Sequence, residues 1–457
     1  MKDIMPCFNI TARSLGVFCL LAPQALLAQA QQGSGSPYSA YGLGELSGTG
    51  QVSQAMMGGL GVAVVDPVSV TYTNPASYAF LQRTTFEQGL VVRSSKYSSS
   101  GTESNGRQVG LLGLTLGVPF GNGKWGMALG LAPMSTVGYN ISTTSQPSDV
   151  AGVRYQYTGD GGLNRAFLGM GRTLLEKRDS LYNGHRLSVG ANLGYVFGRI
   201  EESRKVYYPS GLGYYNSSIF SSLVVRDPVA NLGIQFQGDL RKRRTSDDRA
   251  THFLVGAAFE LPANLSAQRT DLVNTFAQSS SGVEFPIDTS FIAIGSKGSV
   301  GLPLGIGLGL TVFNLHWTVS AEVKQRDWRK LTVSVEDYTL PSQLASSTSY
   351  MLGASFRPAG ERGGTFWERT TYRAGARFND DYLVVDGHQL QEIGMSFGLS
   401  LPVMGSITRS RLNLGAELGE RGTTSDGLLR ERYAAWFIGL TITPDIRENW
   451  FKKRRIE

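Results

Sequence analysis

The 457-residue sequence predicts an all-β fold, a transmembrane antiparallel β-barrel of about fourteen strands with an N-terminal hatch or plug inside its lumen. Three observations carry the barrel. Ten or more segments alternate large apolar with small or polar side chains, and they recur to the end of the chain. Glycine occupies 57 positions. No segment of helical period is long or apolar enough to cover so much one-sided sheet. Successive strand residues face opposite sides. In 111–120, LLGLTLGVPF, this puts Leu112, Leu114, Leu116, Val118 and Phe120 on one face and Leu111, Gly113, Thr115, Gly117 and Pro119 on the other. Lipid accepts such strands only in a closed barrel, where every backbone polar group is paired. A soluble β-sandwich or solenoid is the competing arrangement, and it needs inward aliphatics from two facing sheets and no export signal. No fixed repeat of solenoid length is visible. The mean hydropathy of −0.11 agrees with a barrel, because half of the strand residues face a polar lumen.

Taken in order, residues 1–30 read as a signal peptide for the bacterial outer membrane. Lys2 and Arg13 flank a polar start, 15–27 is apolar, and Ala28-Gln29-Ala30 is a small-x-small cleavage site. The apolar stretch is too short, and too broken by Pro23 and Gln24, to span a bilayer as a helix. Phe18 before Cys19 argues against a lipoprotein. Cys7 and Cys19 both lie in the signal, so the mature chain has no thiol for disulfides, catalysis or metal binding. Cleavage removes two basic residues and one acidic, taking the net charge from +7 to +6. Part of the excess is clustered at 241–244 and 452–455, which suits anionic lipid head groups and gives no reason to expect nucleic acid as a partner.

Residues 31–83 do not alternate. They are rich in glycine and small residues, with turns at Gly58-Gly59, Asp66-Pro67 and Asn74-Pro75. A segment this apolar folds inside the lumen as a hatch, or else is a disordered leader. The barrel itself is placed at 84–443, with strands near 84–97, 107–120, 124–141, 151–174, 185–206, 217–239, 249–276, 283–313, 316–333, 346–358, 368–385, 388–402, 408–420 and 430–443. Tight turns at Asn122-Gly123, Asn314 and 403–406 alternate with longer polar connections at 98–106, 207–216, 334–345 and 421–429. Barrels of this type have short periplasmic turns, which places both termini in the periplasm. Leu187, Val189, Ala191, Leu193, Tyr195 and Phe197 would face lipid, as would Ile393, Met395, Phe397 and Trp436, Ile438, Leu440. Glu322, Lys324, Arg373, Arg377, Glu392 and Glu417 fall on the lumen phase. Residues 444–457 form a basic periplasmic tail that either docks a protein partner or occupies the surface.

The chain resembles the FadL-type hydrophobic-compound channels, in the version common in Bacteroidota. The resemblance runs through SPYSAYGLGEL, Met57-Gly58-Gly59, Asn74-Pro75-Ala76 before Thr84-Thr85-Phe86-Glu87, Gly159-Asp-Gly-Gly-Leu-Asn-Arg165 and Leu302-Pro303 ahead of Trp317 and Trp328. It ends on Leu412-Asn-Leu414, Glu417, Gly419, Arg421-Gly422 and Trp450-Phe451-Lys452. It implies a fourteen-stranded barrel closed by a hatch, importing fatty acids or other hydrophobic small molecules.

For such cargo a watery hole is useless, and a sideways exit into lipid is needed. Pro133 in the third strand cannot donate to a ladder, and Gly159, Gly161 and Gly162 beside it suggest a kink, so this is either a lateral opening or an edge irregularity. Asn74, Pro75 and Ala76, with Gly58 and Gly59, form either a gate or a fixed turn. Met56, Met57, Leu60, Val62 and Val64 are either a ligand pocket or packing that holds the plug. The four histidines, His185, His252, His316 and His388, are scattered, and no hydrolase, metalloprotease or phosphate-loop motif is present, so neither an enzyme nor a cofactor is expected. The alternative function is a non-transporting accessory subunit of an outer-membrane assembly or secretion complex. The lumen decides between them: a channel needs a continuous apolar path, whereas a structural subunit tolerates a lumen filled by paired charges.

Overall fold

The structure, a computed structural model, describes residues 35–99, 101–145, 152–178, 184–209, 213–241, 250–335, 343–360, 364–403 and 409–444. The expected signal at 1–30 and the tail from 445 onward lie outside the described residues.

The wall is one antiparallel sheet closed on itself. A two-residue strand, β1 (Glu45–Leu46), precedes it, and the wall runs β2 (Thr85–Ser99), β3 (Thr102–Phe120), β4 (Trp125–Ser145), β5 (Val153–Arg178), β6 (Gly184–Tyr207), β7 (Asn216–Arg241), β8 (Thr251–Glu260) and β9 (Ala263–Gln278). It continues with β10 (Glu284–Leu302), β11 (Gly305–Phe313), β12 (Trp317–Asp327), β13 (Thr332–Val335), β14 (Gln343–Leu344), β15 (Ser346–Phe356), β16 (Thr371–Val385), β17 (His388–Pro402), β18 (Arg411–Arg421) and β19 (Arg430–Ile442). Pairing of β19 with β2, from Arg430 opposite Ser98 to Ile442 opposite Phe86, closes the barrel. Four pairs of pieces, β8 with β9, β10 with β11, β12 with β13 and β14 with β15, are single wall strands interrupted once, so the wall has fourteen strands. Two of the interruptions fall at Pro262 and Pro303, which cannot donate to a ladder, and they lie side by side where Glu260 faces Gly305 and Ala263 faces Leu302.

Alternation sets the faces. Leu193, Tyr195 and Phe197 on β6, Ile393, Met395 and Phe397 on β17 and Trp436 and Ile438 on β19 are exposed outward, whereas Ser188, Asn192, Ser396 and Glu417 on the opposite phase are buried. Leu112 departs from its expected lipid face. The β2–β3 ladder shifts register between Gly89 and Leu90, so Leu112 is an extra residue and turns inward while Leu111 takes the outward position opposite Leu90. The connection expected at 98–106 is also shorter, because β2 runs to Ser99 and β3 starts at Thr102. The wall is uneven in height. β5 and β7 have 26 residues each, β18 only 11.

Candidate functional site: the hatch and its charged seat

Residues 35–83 fill the interior. They consist of a 3-10 turn at Pro37–Ala40, β1, the short helix α1 (Val52–Ala55) and a 3-10 turn at Pro75–Phe80. Gln51 and Gln54 cap α1 reciprocally, and Asn74 caps the second turn by accepting the Ala76 N–H at 3.1 Å. Such short elements leave many buried backbone groups unpaired among themselves, and the wall's inward side chains satisfy them. Thr311 donates to the Ala63 carbonyl at 2.7 Å, Gln235 to Val62 at 2.9 Å and Asn192 to Tyr72 at 3.1 Å. The Gly58 N–H donates to Ser396 at 2.9 Å. Wall glycines let the hatch come close. A Cβ at Gly126 would lie 1.9 Å from the Tyr78 carbonyl oxygen, and one at Gly190 2.4 Å from Pro75. Gly126→Val is therefore expected to push the 75–80 turn off the wall, seen as faster tryptic cleavage at Arg83, whereas Gly123→Val, where a Cβ meets nothing, leaves that cleavage unchanged although its positive φ strains the turn.

Charged groups hold the hatch most firmly. Glu322 of β12, 5% exposed, accepts the N–H groups of Gly61, Val62 and Ala63 at 2.8, 2.7 and 2.8 Å. Lys324 donates to the Gly59 carbonyl at 3.0 Å. At one end of the hatch, Arg411 and Arg373 reach the Asp66 carboxylate at 2.9 and 3.6 Å. Burial opposes ionisation of Asp66, but the two guanidiniums and the Val68 N–H outweigh it and hold its carboxyl at about 2. A depressed value stabilises the fold above the ordinary carboxylate value of about 4 and loses that contribution as pH falls through about 2. Pepsin should therefore cut the 60–75 segment of wild type more slowly than that of Asp66→Asn at pH 4, and the ratio of the two rates should move toward one at pH 2.

Toward the other end lies a network. Arg377 donates to Glu392 and Glu417, both at 2.8 Å, and the single hydroxyl proton of Tyr433 is shared between the same two carboxylates, whose oxygens lie at 2.7 and 3.0 Å. Arg93 pairs with Glu45 of the hatch and with Glu431 at 3.3 Å, and stacks 3.7 Å from the centre of the Tyr433 ring. Arg421 pairs with Asp381 and lies over the hatch's Tyr38. Ser36 of the hatch donates to Glu431 at 2.7 Å. Arg93, Asp381, Arg411, Glu431 and Tyr433 were not singled out by sequence reasoning, and Glu45, Asp66 and Arg421 appear in it only within a resemblance motif or a turn. The inward phase of β2 and β19 marks Arg93, Glu431 and Tyr433, but phase alone names no partner.

Of the residues singled out, Glu322, Lys324, Arg373, Arg377, Glu392 and Glu417 all face the interior. Met56, Met57 and Leu60 are buried against the wall, Met56 over Gly398 and Gly415 and Met57 over Gly375, with Val64 partly buried beside Met57 and Leu60. Val62 is buried but borders a cavity of about 390 Å³, as do Gly58, Leu46, Met134, Arg165 and Ile306. Asn74 is fully buried and its amide also donates to the Val62 carbonyl at 2.7 Å, which ties the two hatch turns together; Pro75 and Ala76 are buried beside it, and Gly59 takes a positive φ.

Pro133 sits at a discontinuity. The β3–β4 ladder stops at Leu114 opposite Leu131, and above it Thr102–Gly113 pairs only with β2. The β4–β5 register shifts between Pro133 and Ser135, and Gly161 and Gly162 take φ of 108° and 138° beside it, with Gly159 facing Tyr139. β1 pairs with the freed edge of β4 from inside, Glu45 opposite Thr136 and Leu46 opposite Ser135. The wall is thus parted along one seam, with the hatch behind it. Among the described residues there is no group of three metal-ligating side chains.

A fourteen-stranded barrel filled by an N-terminal hatch and parted at its third strand has the fold of hydrophobic-compound channels. The toluene transporter TodX of Pseudomonas putida superposes with a TM-score of 0.53 at 17% identity over 88% of this chain and 100% of that one. The CymD monoaromatic hydrocarbon channel gives 0.52 at 13% identity over 89% and 100%. At such identities the likeness is one of fold. Among curated proteins none matches the sequence significantly. The BamG family model matches residues 12–457, and the chain belongs to the BamG family.

Proposed function

We propose that this chain is a non-conducting barrel with a pinned hatch, acting as an accessory subunit of an outer-membrane assembly or secretion complex, with both termini periplasmic. The observation that carries this reading is the charged seat. Hatch and wall are joined by a carboxylate on three backbone donors, by the Asp66 pairs and by the Arg93–Glu45 pair. Opening the hatch would strand several of these groups without partners in a poorly hydrated interior, and each lost partner costs more than an exposed ion pair. Long β5–β7 offer contact surface outside the bilayer. The test is native mass spectrometry on the protein extracted from its own membrane in mild detergent. A protein partner at fixed stoichiometry without small-molecule mass is expected. Retained hydrocarbon or fatty-acid mass, lost on deleting residues 31–83, would overturn the reading.

The parted seam favours a second reading, uptake of fatty acids or other hydrophobic small molecules with lateral exit beside Pro133 and Gly159–Gly162. The cavity reaches Pro133 and Leu111 at that seam. In this reading Asn74-Pro75-Ala76 with Gly58-Gly59 is the moving gate. Pro133→Val restores a backbone donor there, and unchanged uptake of a labelled fatty acid in the variant would sink the lateral exit.

A further inference from the structure

We propose that the rim formed by β19, β2 and β3, at the end of the barrel away from Thr85 and Ile442, binds the phosphate of an anionic lipid headgroup. Register places four cations together there. Arg432 is opposite Lys96, Arg430 opposite Ser98, and Arg107 opposite Ser94. All four share the outward phase with Trp436, Val92 and Val109, so they continue the lipid-facing surface upward. Arg432 lies four residues above Trp436, about 14 Å along the strand, directly past the outward apolar run Ala434, Trp436, Ile438 and Leu440.

Two carboxylates serve these four cations. Lys96 pairs with Glu103 at 2.8 Å and Arg432 with Glu420 at 2.9 Å, while Arg430 stands 4.0 Å from Glu420. Both close pairs are more than a third exposed on at least one side, the kind worth little in water and readily exchanged for a better anion. Among the described residues Arg107 is exposed and has no ion pair. The four cations and two carboxylates leave an excess of two positive charges here. Beyond β18, the strands β16 and β17 present Asp380 and Gln391, bonded to each other at 2.9 Å. Guanidiniums recognise phosphate with two parallel hydrogen bonds, and each basic residue near an anionic surface strengthens the attraction. A phosphate held between Arg107, Lys96 and Arg432 by a lipid whose chains lie against Val92, Val109 and Trp436 satisfies both the charge and the apolar surface below it.

The test uses the full chain in phosphatidylcholine nanodiscs loaded with a trace of bisphosphorylated lipid A, read by native mass spectrometry. Wild type is expected to retain lipid A about tenfold more than its dephosphorylated form. The triple variant Lys96→Gln/Arg107→Gln/Arg432→Gln should lose that preference, and Arg329→Gln/Lys330→Gln, exposed on another sector, should keep it. Equal retention of the two lipids by wild type overturns the proposal without any variant, so a misfolded triple variant does not rescue it. Undiminished retention by a folded triple variant overturns it too. Displacement of the lipid by millimolar inorganic phosphate would mark a site for free anions and not for a headgroup.

Discussion

Glu322→Ala is expected to release the centre of the hatch. Among the described residues the carboxylate is the sole acceptor for the Gly61, Val62 and Ala63 N–H groups, and all three would be left buried and unpaired. Hydrogen bonds to charged groups contribute roughly 1.5–3 kcal/mol each, and an orphaned buried donor costs a comparable amount. Because neighbours relax and water enters, a net loss of about 4 kcal/mol is a fair expectation, which corresponds to roughly a thousandfold drop in protection. Hydrogen exchange of peptides covering 60–66, read by mass spectrometry, is the measurement. Glu322→Gln keeps one carbonyl acceptor and should fall between wild type and Ala. Lys324 then faces no counter-charge in either variant and stays tied to the Gly59 carbonyl. Protection at 60–66 unchanged in Glu322→Ala would show that packing of Met57 and Leu60, and not the carboxylate, seats the hatch. In a planar bilayer the same variant is expected to show ion conductance that wild type lacks.

The features legible in the sequence are those that the surroundings impose residue by residue. Lipid acts on every outward position of β6 and β17 alike, so Leu193, Tyr195, Ile393 and Met395 could be assigned from period alone. Two kinds of feature escaped. A register slip is invisible to period counting, which is why Leu112 was given the wrong face: the bulge beside Gly89 inverts the phase for the rest of β3. Strands beyond the bilayer have water on both sides, so 98–106 reads as polar loop although β2 and β3 pair as far as Ser99 and Thr102. The seat of the hatch was half legible. Alternation gave the side on which Glu322, Arg377 and Glu417 lie. Their partners lie from 15 residues away, as Glu392 does from Arg377, to 261, as Gly61 does from Glu322, and the Ser36–Glu431 contact spans 395; only the hatch folded inside the closed barrel brings the distant ones together.

Arg377→Met is expected to cost the barrel more than any single surface change. Arg377 serves two carboxylates at once, Glu392 and Glu417, and the Tyr433 hydroxyl shares both. Removing it leaves two negative charges close together in the interior, with Arg93 4.0 Å from Glu392 as the nearest remaining cation. Removing one member of a buried ion pair typically costs 3–5 kcal/mol, mostly through the charge left behind. The heat-modified mobility of the folded barrel on a gel gives its melting point, and a fall of several degrees is expected for Arg377→Met. The origin of the loss is separable. If the stranded carboxylates are responsible, Arg377→Met/Glu392→Gln/Glu417→Gln should recover most of the stability, since no isolated charge remains and Tyr433 keeps amide acceptors. If the triple variant is no more stable than the single, the guanidinium matters through its packing between β16 and β19, and the network is a filler of the lumen whose charges happen to balance.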